Sequence, residues 1–270
     1  MNQHLIAIDL DGTTLNNDAQ LSPTTIKTIK AASKAGHIVS IVTGRPYRIS
    51  QRYYDSLGLK SPMVNFNGAL AHIPHEEWHQ EYQKNINREI ALDLLTHKDE
   101  LGIDTMTAEN KLHLWANRQS NVMADFFPTK LNPNEVLNSN NLTSDPTALT
   151  VEYKPGEKDT LIKNIQDNYG SDVDIRVWGG PHNILEVVSK GIQKAMGVSY
   201  LAKTYNIDQS NIIAFGDEEN DAEMIKYAGR GVAMKNAIPS ITALADDQTE
   251  VDNQHDGLAH YLNDYLKLDI

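Results

Sequence analysis

Short apolar runs alternate along this chain with longer stretches that carry one apolar stripe, the rhythm of strands and helices in a parallel sheet. Leu5 to Ile8 is wholly apolar and ends on Asp9, which fits a strand covered on both faces. Ser22-Pro23 reads as a helix start, with Ser as the cap and Pro at the first helical position. Ile26, Ile29, Ala32 and Ala35 give that helix its stripe, and Gly36 ends it. A β-branched strand over residues 37–42 then runs into Thr43-Gly44-Arg45-Pro46. Strand, helix, strand is a βαβ unit and implies a parallel sheet. A helix over about residues 46–57 and a strand at 63–66, closed by Asn67-Gly68, continue the pattern.

Near Ala71 the rhythm changes. His72, His75 and His79 crowd a segment with Pro74 and Trp78. Two readings stand: a three-histidine metal site, or a solvated linker or hairpin, since a structural zinc site also needs a fixed fourth ligand. Residues 82–187 read as a separate α+β unit. Helices are expected at about 87–97 and 157–168, strands at 103–107, 112–116, 148–153, 173–178 and 183–187, and a loop across the Pro- and Asn-rich 128–146. The parallel pattern resumes at Lys190-Gly191, with a helix at about 192–205, strands at 212–215 and 231–234, and helices near Pro239 and beyond Gly257. Parallel-sheet segments on both sides predict an α/β fold with one domain inserted into another. The expected division is core 1–81, insertion 82–187 and core 188–270.

A formal net charge of −12 argues against a nucleic-acid partner, whose phosphates demand a basic surface. The absence of cysteine removes thiol nucleophiles, disulfides and thiolate zinc sites. The amino terminus lacks a signal-peptide pattern, and no apolar run approaches the ~18 residues of a membrane span. The expectation is a cytoplasmic protein with no membrane partner, a monomer or weak homodimer.

Three predicted strand ends carry functional groups: Asp9 and Asp11; Thr43 and Gly44; Asp217 with Asn220 and Asp221. In one parallel sheet these ends converge where such sheets bind ligands. Asp9 and Asp11 are two apart and project to the same side if strand geometry persists. Two carboxylates ~4 Å apart repel by ~4 kcal/mol at an effective dielectric of 20, so a cation is expected among them. All-oxygen ligation suits Mg²⁺, which shares its shell with carboxylates, water and phosphate. Thr43, the Gly44 amide and the helix that begins at Pro46 offer hydrogen bonds and a positive dipole end to phosphate, and Lys190 adds a mobile cation.

Asp9-Leu10-Asp11-Gly12-Thr13, Thr43-Gly44-Arg45, Lys190-Gly191 and Gly216-Asp217-Glu218-Glu219-Asn220-Asp221 resemble, in order, the four motifs of the haloacid dehalogenase-like superfamily. Asn65-Phe66-Asn67-Gly68-Ala69 and Asp256-Gly257-Leu258-Ala259 look like its Cof-type sugar-phosphatase branch. The resemblance implies a Rossmann-like core with an inserted α/β cap that closes over the leaving group, with His113 and Trp178 among the candidate contacts. It further implies a Mg²⁺-dependent phosphatase of small phosphorylated metabolites such as sugar phosphates. Asp9 would be the nucleophile that forms an aspartyl-phosphate, and Asp11 the general acid and base. Asp9, Asp11 through its carbonyl, Asp217 and Asp221 would hold the metal. Leu10 through its amide, Thr43, Gly44, Lys190 and Asn220 would clamp the phosphoryl oxygens. The acid at Asp11 favours ester hydrolysis over dehalogenation. A phosphohexomutase and a non-catalytic phosphosugar-binding regulator remain the alternatives.

Overall fold

The computed structural model describes residues 2–178, 182–268 and 270. The chain divides into two compact units, one of residues 1–82 and 193–270, the other of residues 83–192.

The first unit is built on a parallel sheet in the order Asp247–Gln248, Arg230–Ala233, Ile212–Gly216, Leu5–Ile8, Ile38–Ile41. A parallel bridge from Val42 to Val64 brings the short Met63–Asn65 strand beside it. Leu5–Ile8 is therefore central, and side-chain alternation explains why it has no polar residue. Ile6 and Ile8 join one core with Ile41, Phe215, Tyr54 and Leu262, whereas Leu5 and Ala7 join another with Val198, Leu201 and Ile225. Complete burial of an Ile or Leu contributes about 2 kcal/mol, so both faces of this strand are anchored. Helices Pro23–Lys34, Tyr47–Leu57 and Gly257–Leu266 supply the first layer; Lys194–Thr204, Ala222–Tyr227 and Pro239–Leu244 supply the second. The Ser22 hydroxyl caps the Pro23 helix by accepting from the Thr25 amide at 3.0 Å, as its Ser-Pro start predicts.

The second unit is an antiparallel five-stranded sheet in the order Leu114–Ala116, Ile103–Glu109, Ala148–Tyr153, Ile184–Ser189, Val173–Val177. Helices Arg88–Thr96 and Lys158–Tyr169 bury Ile90, Leu94, Leu161 and Ile165 against Met106, Val151, Leu185 and Val187. Its core shares no residue with those of the first unit.

The carboxyl-side boundary lies at 192/193 rather than the expected 187/188. The Ile184–Ser189 strand runs on, and the chain beyond it is tied back by Lys190 N–H to the Asp172 carbonyl (2.9 Å) and Gly191 N–H to Asp174 Oδ2 (2.7 Å). Among the described residues, no helix is long and apolar enough to cross a membrane.

Candidate active site

Asp9 directly follows the central strand, its N–H bonded to the Phe215 carbonyl at 3.2 Å. The chain then leaves strand geometry in one wide turn over Leu10–Thr14, closed by Leu15 N–H to the Leu10 carbonyl at 2.8 Å. Gly12 sits at φ +68°, and a Cβ there would lie 2.1 Å from Asp217 Oδ2. Only glycine permits both the turn and that approach. On the neighbouring strand, Gly216 leads into Asp217, whose Oδ1 accepts from the Thr13 hydroxyl at 2.8 Å. Asp221 folds back on the same loop, its Oδ2 accepting from the N–H groups of Asp217 (3.0 Å) and Glu218 (3.2 Å).

Carboxylate oxygens of Asp9, Asp217 and Asp221 lie within 4.8 Å of one another, and all three residues are buried. Lys194 spans two of them, its Nζ 2.7 Å from Asp9 Oδ1 and 2.7 Å from Asp221 Oδ1. Burial alone would lower the Lys194 pKa, but the Asp221 and Asp9 carboxylates more than offset it and hold the ammonium charged. Burial pushes Asp9 well above the usual carboxylate range; Lys194 opposes the rise, and Asp221 and Asp217 add to it. Asp217 is pushed up to about 7 by burial and then by Asp221, against the Thr13 hydrogen bond and Lys194.

The expectation for Lys190 is corrected here. Its ammonium is half exposed and pairs with Asp174 at 2.7 Å, within the second unit. Lys194, four residues on, is completely buried and meets the carboxylates. The sequence carried a signal: Lys194, Val198 and Leu201 share the inward face of one helix, so a lysine stands where the stripe calls for an apolar residue. A cation in the first turn of a helix opposes the helix dipole, which the two carboxylates offset.

Asp11 is also placed differently from expectation. Because the strand ends at Ile8, its carboxylate does not join Asp9; it is half exposed and meets Arg45 in a two-pronged pair, Nε to Oδ2 at 2.7 Å and Nη2 to Oδ1 at 2.5 Å. Its side chain lies outside the acidic cluster, which leaves untouched the metal role expected of its backbone carbonyl. Arg45 itself is buried, an anchor that the motif placed but to which no role was given.

Thr43 is buried, its N–H bonded to the Val64 carbonyl (2.9 Å) and its hydroxyl accepting from Arg45 N–H (3.1 Å). Gly44 packs against the Asn67 side chain. Asn220 donates from Nδ2 to Asn67 Oδ1 at 3.0 Å, a contact the sequence did not disclose. The Leu10 side chain fills the core while its backbone runs between Asp9 and Asp11. The histidines are not brought together: His72 is buried against Asn65 Oδ1 at 3.0 Å in a hairpin, His75 is exposed beside Asp55, and His79 is exposed.

Three buried carboxylates against one ammonium leave two negative charges unbalanced, which a divalent cation would neutralise. The donors are all oxygen, as Mg²⁺ prefers, so the residues present fit that ion.

A family profile described as haloacid dehalogenase-like hydrolase matches residues 6–262. The 5-amino-6-(5-phospho-D-ribitylamino)uracil phosphatase YitU of Bacillus subtilis strain 168 is 33% identical over 268 residues, covering 98% of each chain. YcsE of the same strain, which bears the same activity in its name, is 27% identical over 266 residues, covering 97% of this chain and 95% of its own. A haloacid dehalogenase-like hydrolase from Bacteroides thetaiotaomicron superposes with a TM-score of 0.84 at 20% identity, over 98% of this chain and all of the other. That likeness is one of fold.

Proposed function

The chain belongs to the haloacid dehalogenase-like hydrolases and is a phosphatase, and from that premise we propose that it hydrolyses small phosphate monoesters through an aspartyl-phosphate on Asp9, with Mg²⁺ as cofactor. The observation that carries this reading is Asp9 itself, buried at the end of the central strand beside Asp217 and Asp221 and held by Lys194.

Lys194 engages Oδ1 of Asp9 and so fixes the carboxylate plane, leaving the other oxygen to attack phosphorus. As the Asp9–phosphorus bond forms, the ester oxygen departs and takes a proton from Asp11, which for this step has freed one oxygen from Arg45 and taken up a proton from solvent. Asp11 then removes a proton from the water that attacks phosphorus, the Asp9–phosphorus bond breaks, and inorganic phosphate leaves. Arg45 holds the ionised Asp11 by two hydrogen bonds between turnovers, and Asp11 exchanges one of them for the substrate or the water in each proton transfer. Thr43, Gly44, Asn220 and the Leu10 amide cradle the phosphoryl oxygens, and Lys194 takes over the cationic part expected of Lys190. When bound by Asp9, Asp217 and Asp221 with the Asp11 carbonyl, Mg²⁺ would supply charge neutralisation for the phosphoryl group.

The names of YitU and YcsE point to a phosphorylated ribityl chain attached to a pyrimidine as the first ester to test, with sugar phosphates as the wider class. The deciding experiment is phosphate release with Mg²⁺ across 5-amino-6-(5-phospho-D-ribitylamino)uracil, hexose and pentose phosphates, and nucleotides. Release from none of them, or isomerisation of hexose phosphate instead, would overturn the reading.

A further inference from the structure

We propose that Asn67 is a positioning residue of the phosphate clamp, acting through the side-chain amide of Asn220. The inference rests on the phosphatase reading above and deepens it.

Phe66, Asn67 and Gly68 stand in succession at positive φ, +51°, +54° and +109°. Asparagine tolerates this region and glycine prefers it, but a phenylalanine there is strained, and such strain persists only where the surroundings enforce it. What the turn achieves is contact with three of the segments that bring groups to phosphate, those of Thr43, Lys194 and Asn220. Asn67 N–H bonds the Thr43 carbonyl at 3.1 Å, and the Arg45 carbonyl accepts from Phe66 N–H at 3.4 Å and Asn65 Nδ2 at 2.9 Å. Gly68 abuts the carbonyl of Gln193, which precedes Lys194; a Cβ would lie 2.3 Å from that oxygen. The Asn67 side chain lies against Gly44, where a Cβ would meet its Nδ2 at 3.0 Å.

A further contact is Asn220 Nδ2 to Asn67 Oδ1. A side-chain amide can present oxygen or nitrogen in either direction, and oxygen toward a phosphoryl group would repel it. By accepting one N–H, Asn67 fixes which way Asn220 faces and leaves its second N–H to donate. The left-handed turn is what carries the Asn67 side chain to that place.

Asn67→Gly separates the two parts, because glycine keeps the turn and removes only the amide. Inorganic phosphate binding is measured by calorimetry in Mg²⁺, and kcat/KM with the best ester, for wild type, Asn67→Gly, Asn220→Ala and the double variant. Each single change is expected to weaken phosphate binding and kcat/KM by about tenfold, with the melting temperature held, and the double variant to be no worse than Asn220→Ala alone. Asn67→Ser, too short to reach Asn220, repeats the result should glycine loosen the turn. Wild-type affinity in Asn67→Gly, multiplied losses in the double variant, or no phosphate binding by the wild type would each overturn the proposal. Normal phosphate binding without turnover of any ester would instead overturn only the phosphatase reading, and the binding cycle would still decide the role of Asn67.

Discussion

Lys194 and Asp9 meet at 2.7 Å in a place with almost no solvent, so the Asp9 carboxylate depends for compensation on an ammonium that it shares with Asp221. Lys194→Met should destabilise the fold by about 3 kcal/mol at neutral pH, less in acid where the carboxylates protonate, and should abolish turnover. Lys190→Met removes only an exposed pair with Asp174 and should leave kcat and stability near wild type. Denaturant melts and steady-state kinetics on both variants check this; equal losses at the two positions would contradict the assignment.

Asp9→Asn keeps the shape of the side chain while removing the proposed nucleophile and one of the three crowded carboxylates. Turnover should fall by more than about a thousandfold with the melting temperature unchanged or raised. Substantial phosphate release by a rigorously purified variant would remove Asp9 from its role.

Asp217, pushed up to about 7, makes metal affinity depend on pH. Its folded pKa lies above the unfolded value, so between about pH 4 and 7 the folded state holds the extra proton, and stability falls as pH rises through that window. A divalent cation replaces that proton, so the rise in melting temperature on adding Mg²⁺ should be greater at pH 8 than at pH 5, with protons released on binding. Asp217→Asn should raise the metal-free melting temperature at pH 8. Ca²⁺, which favours more ligands at longer distances, should bind yet support little turnover. Equal Mg²⁺ effects at both pH values, or full activity in chelator, would count against the site.

Every residue assigned to chemistry lies in the first unit, whose apolar cores are its own. Joining residue 82 to 193 through a short Gly/Ser linker should therefore give a folded protein that cleaves a small activated aryl phosphate, though slowly. We propose that the insertion supplies the contacts to the leaving group, so discrimination among sugar phosphates should be lost. A truncated core with the full-length order of kcat/KM values across an ester panel would place specificity in the core instead.

The strands were legible because each buried run, such as 5–8 and 212–215, is bounded by an acidic or Gly-rich turn. The carboxylates were legible for the same reason, since parallel strand ends converge whatever the loops do. Lys194 was missed because Lys190-Gly191 offers a motif-like pair just upstream, and only helical phase separates the two lysines. Asp11 was misdirected by carrying period-two geometry past Ile8, where Leu10 already leaves the extended backbone. Asn67 was passed over as punctuation in an Asn-Gly turn. Its function depends on a backbone angle and on a partner 153 residues away, neither of which local spacing encodes.

The central pairing of the sheet joins Leu5–Ile8 to a strand more than two hundred residues later in the chain. At ribosomal rates of about 5–20 residues per second, the first strand waits roughly ten to forty seconds for its neighbour. Meanwhile residues 83–192, a compact unit with an apolar core of its own, emerge and fold. During that interval the apolar edge of Leu5–Ile8 is open to wrong partners, a hazard chaperones exist to contain. The nascent chain thus carries the nucleophile proposed at Asp9 almost from the first moment of synthesis, and its acidic cluster is incomplete until Asp221 has left the ribosome.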